Sequence, residues 1–133
     1  MKVVLDEGVP RHLVPALRRD GIDTYRFDKT WAGLTNGDLL SAVERAGYDV
    51  LLTNDKNMAS QQSLAGRSIA VIALPHNKRR TMLERVPDIV DKLAYAQPGA
   101  HIVMALDGTR ISRLARQGGQ ETRELPALKP FDP

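Results

Sequence analysis

Short, wholly apolar runs alternate along the chain with segments whose apolar residues recur every three or four positions. That is the pattern of strands covered on both faces and joined by amphipathic helices. Val3 to Leu5 is the first apolar run. Pro10 then opens a segment in which Leu13, Val14 and Leu17 share a helical face, with Gly21 as the stop. Pro15 sits about a turn inside, so this helix is either kinked or starts late. Asp23 to Phe27 alternates as a second strand, and Asp28 to Gly33 is loop. Thr35, three residues before Asp38, resembles a capping box and begins a helix with Leu39, Leu40, Val43 and Ala46 on one face, ending at Gly47. Val50 to Thr53 is the next strand, Met58 to Leu64 a short helix, and Ile69 to Leu74 a β-branched strand. Thr81 to Ala96 is helical, with Pro87 as a restart point. After Pro98-Gly99 the period changes: His101 to Leu106, Asp107-Gly108 and Thr109 to Leu114 predict a β-hairpin on a tight turn. From Gln117 onward Gly, Glu, Pro and Lys dominate, which predicts a loose tail.

This order predicts an α/β fold, with a mainly parallel sheet wrapped by helices on both faces and right-handed crossovers. The 133 residues fit a single domain. Its core spans about 1–96, the appended hairpin about 100–115 and the flexible tail about 117–133. With no cysteine there are no disulfides, thiolate zinc sites, iron–sulfur clusters or cysteine nucleophiles. No apolar stretch approaches the roughly 20 residues of a membrane span, and Met1-Lys2 runs directly into the first strand, so the expectation is a cytoplasmic protein without membrane contact. The net charge of +3 is unevenly divided: residues 1–62 sum to −1 and residues 63–133 to +4. Such asymmetry suits an acidic site beside a basic surface, and equally an ordinary solvated exterior.

In open α/β sheets function gathers beyond the carboxyl ends of the strands. Three acidic positions fall there: Asp6 with Glu7 after the first strand, Asp38 in the first turn of the second helix, and Asp55 just past Val50 to Thr53. Crowded carboxylates repel unless a cation neutralises them, and hard oxygen ligands suit Mg²⁺ or Mn²⁺. The alternatives at single positions are simpler. Asp38 is also favourable at the positive end of a helix, and Asp55 also suits a turn.

The segments Leu5-Asp6-Glu7-Gly8-Val9-Pro10-Arg11, Gly33-Leu34-Thr35-Asn36-Gly37-Asp38-Leu39-Leu40 and Leu51-Leu52-Thr53-Asn54-Asp55-Lys56-Asn57-Met58, followed by Gln61-Gln62, resemble the small stand-alone branch of PIN-like proteins. They are similar to the VapC-type toxin ribonucleases, in order and spacing over roughly residues 1–95. The resemblance implies a PIN-like three-layer α/β/α sandwich and a Mg²⁺- or Mn²⁺-dependent endoribonuclease of a toxin–antitoxin type, with RNA as substrate and a small antitoxin protein as partner. Carried over by position, Asp6, Asp38 and Asp55 are the metal-binding and catalytic acids, and Thr53 is the hydroxyl that steadies the loop. Read from their own chemistry, Glu7 and Asn57 are candidate auxiliary metal ligands, Asn36 and Gln61 candidate supporting residues, and Arg11, Lys56, Lys78, Arg79 and Arg80 candidates to hold substrate, with a solvated helix start as the equal alternative for the last three. Asn57 and Asn36 stand where relatives often carry acids, which removes formal charge from a hard-cation site.

Two other functions compete. A catalytically degenerate PIN-like module would bind RNA or protein without cutting, as Asn36 and Asn57 suggest. A response-regulator-like receiver domain shares the doubly wound plan, but its phospho-acceptor position falls on Thr53, with Asp55 two residues late. His12, His76 and His101 have no ligand-like spacing, although His12 lies near Asp6 in sequence. Trp31 and Tyr25 suit packing or a partner interface, with base stacking as the alternative. The hairpin edge at Thr109 to Leu114, if uncovered, would invite another chain, including a second copy of this one.

Overall fold

In the computed structural model, residues 1–59, 61–116 and 119–133 are described, without the side chains of residues 61, 62, 115 and 116. One seven-stranded sheet organises the molecule, in the order β2-β1-β3-β4-β5-β6-β7. The strands β1 (Lys2–Leu5), β2 (Asp23–Tyr25), β3 (Val50–Thr53), β4 (Ala70–Ala73) and β5 (Ala100–Met104) are parallel. Antiparallel β6 (Arg110–Arg116) and β7 (Gly119–Glu124) extend it.

Alternation along the strands separates two cores. Val3, Leu5, Val50, Leu52, Ala70, Ile72, Ala100 and Ile102 face α1 (Leu13–Arg19), α4 (Arg79–Glu84) and α5 (Val86–Leu93). Val4, Leu51 and Val71 face α2 (Asn36–Arg45) and α3 (Gln61–Leu64). Helices thus cover both faces of the sheet in three layers. The helices behave locally as their sequences dictate. α1 starts late, which puts Pro15 third in the helix, where a backbone N–H has no intrahelical acceptor to lose. Thr35 caps α2 by accepting the Asp38 amide proton at 3.3 Å. Pro87 sits in the first turn of α5 and divides the expected single helix into α4 and α5.

Three expectations are corrected. First, the expected hairpin forms between β5 and β6 across the Asp107-Gly108 turn, but β5 is also the fifth parallel strand of the main sheet, so the hairpin is built into the sheet and not appended to it. Second, the last crossover reverses hand. The connections β1→β2, β2→β3 and β3→β4 share one hand, but α4 and α5 return on the α1 face although β5 lies further along the same direction, which makes β4→β5 the opposite hand. Third, residues 119–133 are docked. Gly119–Glu124 pairs with β6 as β7, so the β6 edge expected to be open is covered and the outer edge passes to β7.

Beyond β7, Leu125 and Phe131 are buried, and Leu128 and Phe131 donate backbone hydrogen bonds to Gly108 and Leu106. Arg85 fixes this segment by donating to the carbonyls of Lys129 and Pro130, with its guanidinium 3.8 Å from the centroid of the Phe131 ring. The apolar residues there were hidden by their Pro and Lys neighbours. Positions 117 and 118, where the tail was expected to begin, lie outside the described residues. Lys92 and Arg110 are fully buried and share the Asp91 carboxylate, which satisfies the rule that buried charges must be paired. No helix among the described residues is long and apolar enough to cross a membrane.

Candidate active site

α1 and α2 leave the sheet on opposite faces, α1 between β1 and β2 and α2 between β2 and β3. The crevice opened at such a switch point lies between the carboxyl ends of β1 and β3. The ladder of β1 with β3 continues one step beyond Leu5, where the Asp6 amide donates to the Leu52 carbonyl at 2.8 Å. By alternation Asp6 and Thr53 then share the α2 face. Thr53 is fully buried, and its Oγ1 donates to Asp6 Oδ2 at 2.7 Å while accepting the Asp55 amide proton at 3.1 Å. One hydroxyl therefore fixes both acidic loops, from β1 and from β3.

The remaining bonds organise each carboxylate locally. Asp6 Oδ1 accepts the Glu7 amide proton at 2.8 Å, and Asp55 Oδ1 accepts that of Asn57 at 2.9 Å. Asn54 was not singled out in the sequence, yet its Nδ2 donates to the Gly8 carbonyl at 3.3 Å and closes the two loops on each other. A Cβ on Gly8 would lie 2.8 Å from Asn54 Oδ1, so only glycine permits that approach without displacing Asn54. The only cue in the sequence is Gly8 itself, two residues past the acid.

Asp6 is partly buried; Glu7, Asp55 and Asn57 are exposed. Asp38 is exposed in the first turn of α2, at the same carboxyl edge and on the helix that covers the same face. Asn36 begins that helix and is exposed. Among the described residues no three His, Cys, Asp or Glu side chains form a group able to hold one metal ion. The structure thus ties the Asp6 carboxylate to the backbone of Asp55 through Thr53, and among the described residues Asp38 and Glu7 do not form a three-residue cluster with them.

The other expected positions divide. Gln61 opens α3, but its side chain lies outside the described residues. Lys56 is exposed in the loop after β3. Lys78 precedes α4, and Arg80 is exposed and paired with Glu84. Arg79 reaches toward α1, with its Nη1 3.3 Å from His12 Nε2. Arg11 is exposed and borders a cavity of about 550 Å³ that also contains Asp6 and Glu7. His76 ties its loop to the C-terminal segment through the Asp132 carbonyl, 2.8 Å from Nε2.

His101 gains significance that its sequence context did not give it. It is buried on the α2–α3 side of β5, and its Nε2 has no hydrogen-bond partner among the described residues. Burial lowers its pKa below the ordinary value and the Arg113 charge adds to this, while the Asp55 carboxylate pulls it upward. The imidazole therefore lies within the electrostatic field of the Asp55 loop.

Two acidic loops at a switch point, tied by a hydroxyl that bonds the carboxylate of Asp6 and the backbone amide of Asp55, offer the kind of oxygen ligands that suit a hard cation keeping most of its waters. This is how Mg²⁺ is commonly bound, through one or two carboxylates and substrate phosphates. The five parallel strands follow an order that receiver domains share. The acceptor position, however, holds Thr53, which is fully buried and already bonded to Asp6. No family model matches this chain, and no curated protein or solved structure shows significant similarity to it.

Proposed function

We propose that the protein is a PIN-like, Mg²⁺- or Mn²⁺-dependent nuclease acting on RNA, with Asp6 and Asp55 as the metal-binding acids. The observation that carries this is the Asp6–Thr53–Asp55 hydrogen-bonded unit at the β1/β3 crevice. The donor set fits a hard divalent cation because each carboxylate is oriented by an amide or hydroxyl donor and keeps further lone pairs. When bound, the metal would supply charge neutralisation at the phosphodiester and an activated water. Thr53 holds the two acidic loops in register, and Asp38, at the start of the covering helix, adds negative charge to the same edge without joining a three-acid group. Glu7 and Asn57 flank the two acids, and Lys56 and Arg11 are exposed where they can meet phosphates. An antitoxin-like protein and a second copy of the chain remain the proposed partners.

Lack of a three-acid cluster among the described residues, together with Asn36 and Asn57, favours one second reading: a PIN-like module that binds RNA without cutting it. Purified protein incubated with single-stranded RNA and Mn²⁺ separates the two. Cleavage by the wild type that is lost in Asp6→Asn and Asp55→Asn supports the nuclease. RNA retention without cleavage by any form supports the binding module, and equal cleavage by wild type and both variants refutes the site.

A further inference from the structure

Four of the six aromatic residues collect at the β2 edge. Tyr25 meets Tyr48 edge-on at 5.6 Å, Tyr48 meets Trp31 at 6.0 Å, and Trp31 meets Phe27 at 5.9 Å. Trp31 is buried, whereas Tyr25, Phe27 and Tyr48 each keep part of their surface in solvent. Two cations approach the rings, beside the Asp23 carboxylate that accepts from the Tyr25 hydroxyl: Lys2 Nζ lies 5.1 Å and 4.7 Å from the Tyr25 and Tyr48 centroids, and the Arg18 guanidinium lies 5.5 Å from that of Tyr25.

Two cavities open along this edge. One, of about 710 Å³, is bordered by Arg18, Tyr25 and Tyr48, and the other, of about 550 Å³, by Asp6, Glu7 and Lys29. Both are bordered by Arg11, Arg26, Phe27 and Asp28, so they adjoin across these residues and are taken together as a groove from the aromatic cluster to the acids. Arg11, Arg26 and Lys29 are exposed and have no ion-pair partner among the described residues. Asp28, the acid in mid-groove, is already engaged by the Thr30 amide and hydroxyl at 2.9 and 2.7 Å.

Free cations beside partly exposed aromatic rings match what single-stranded nucleic acid needs: charge for the backbone and flat faces for unstacked bases. A folded duplex would find no such use for the rings. We infer that this groove binds a single nucleic-acid strand, with Arg11, Arg26 and Lys29 on its phosphates and Tyr25 and Phe27 against its bases, and leads it to Asp6. The inference rests on the proposed nuclease site for its direction, but binding along the groove is testable without metal.

Fluorescence anisotropy of a labelled single-stranded RNA about 12 nucleotides long, in chelator, measures it on the full chain. Arg26→Glu should weaken binding by about tenfold or more and flatten the salt dependence by about one unit of slope. Arg123→Glu, an equal charge reversal on the opposite edge strand, should change little, and circular dichroism of each variant confirms folding. Phe27→Ala should weaken binding without altering the salt slope, which a purely electrostatic patch would not show. Single-stranded DNA of the same sequence reports whether the 2′-hydroxyl is read. Equal losses from Arg26→Glu and Arg123→Glu, or no loss from Arg26→Glu, overturn the proposal. So does binding of polyglutamate in the groove with no binding of RNA, which would mark it as a site for an acidic protein. Groove binding without Mn²⁺-dependent cleavage would sink the nuclease and leave this inference standing. Cleavage unaffected by Arg26→Glu and Phe27→Ala would do the reverse.

Discussion

Thr53 Oγ1 links the two acidic loops directly, since it donates to the Asp6 carboxylate and accepts from the Asp55 amide. Thr53→Val keeps the shape and removes both bonds, leaving a part-buried amide without its acceptor. The expected cost is about 1–3 kcal/mol of stability, read as a lower urea midpoint, together with loss of Mn²⁺-dependent cleavage. Thr53→Ser keeps the hydroxyl and should restore cleavage, and failure of that rescue would show that the methyl group, not the bond, matters.

His101 offers a pH test with a definite sign. Its folded-state pKa is held below the ordinary 6.5, mainly by burial, so between the two values the unfolded chain binds more protons. Stability from this group is complete above about pH 6.5, falls as the pH drops through that value, and levels off below the folded-state pKa. Thermal melting between pH 8 and 5 should show this decline in wild type and a shallower one in His101→Leu; parallel curves would contradict it. Single residues were unevenly legible in the sequence. Asp6 and Asp55 stood out because acids at strand ends are unusual company for buried runs, whereas Thr53 was singled out only through the family resemblance. Asn54 and His101 did not, because their roles come from contacts 46 residues and several strands away.

At the scale of elements, sequence pattern performed best where the signal was local. The Thr35 cap, the Gly47 stop and the break at Pro87 all lie where side-chain chemistry requires them. It performed worst in the C-terminal segment, where Leu125, Leu128 and Phe131 recur every three residues but Pro126 and Pro130 between them forbid the helix such spacing would suggest. That segment is held against the β5–β6 turn, in which the Gly108 amide donates to Ala105 and the Gly108 carbonyl receives the Leu128 amide proton. Gly108 has φ of +91°, and an added Cβ would stand 2.0 Å from the Leu128 carbonyl oxygen. Gly108→Ala is therefore both strained and blocked by backbone, and it should cost roughly 2–4 kcal/mol. Hydrogen exchange should then show faster exchange at the Leu128 and Phe131 amides than in wild type. A stable variant with those amides still protected would refute the docking described.

For the molecule as a whole, alternating strands and helices announced an α/β fold, and the parallel sheet followed. Strand order and the reversed β4→β5 crossover were not legible, because both depend on which face each helix chooses long after its own residues are fixed. The order matters most for function, since it sets β1 beside β3 and makes one crevice of acids 49 positions apart. The net charge, by contrast, does not say where cations gather. Arg11, Arg26 and Lys29 line the approach to Asp6, although the early half of the sequence is acidic in sum. Crystals soaked in Mn²⁺ and measured at the manganese absorption edge test the central claim most directly. The expected result is one anomalous peak between the Asp6 and Asp55 carboxylates, with oxygens at about 2.1 Å, that disappears in Asp6→Asn. No peak there at saturating Mn²⁺, or one that persists unchanged in Asp6→Asn, would contradict it.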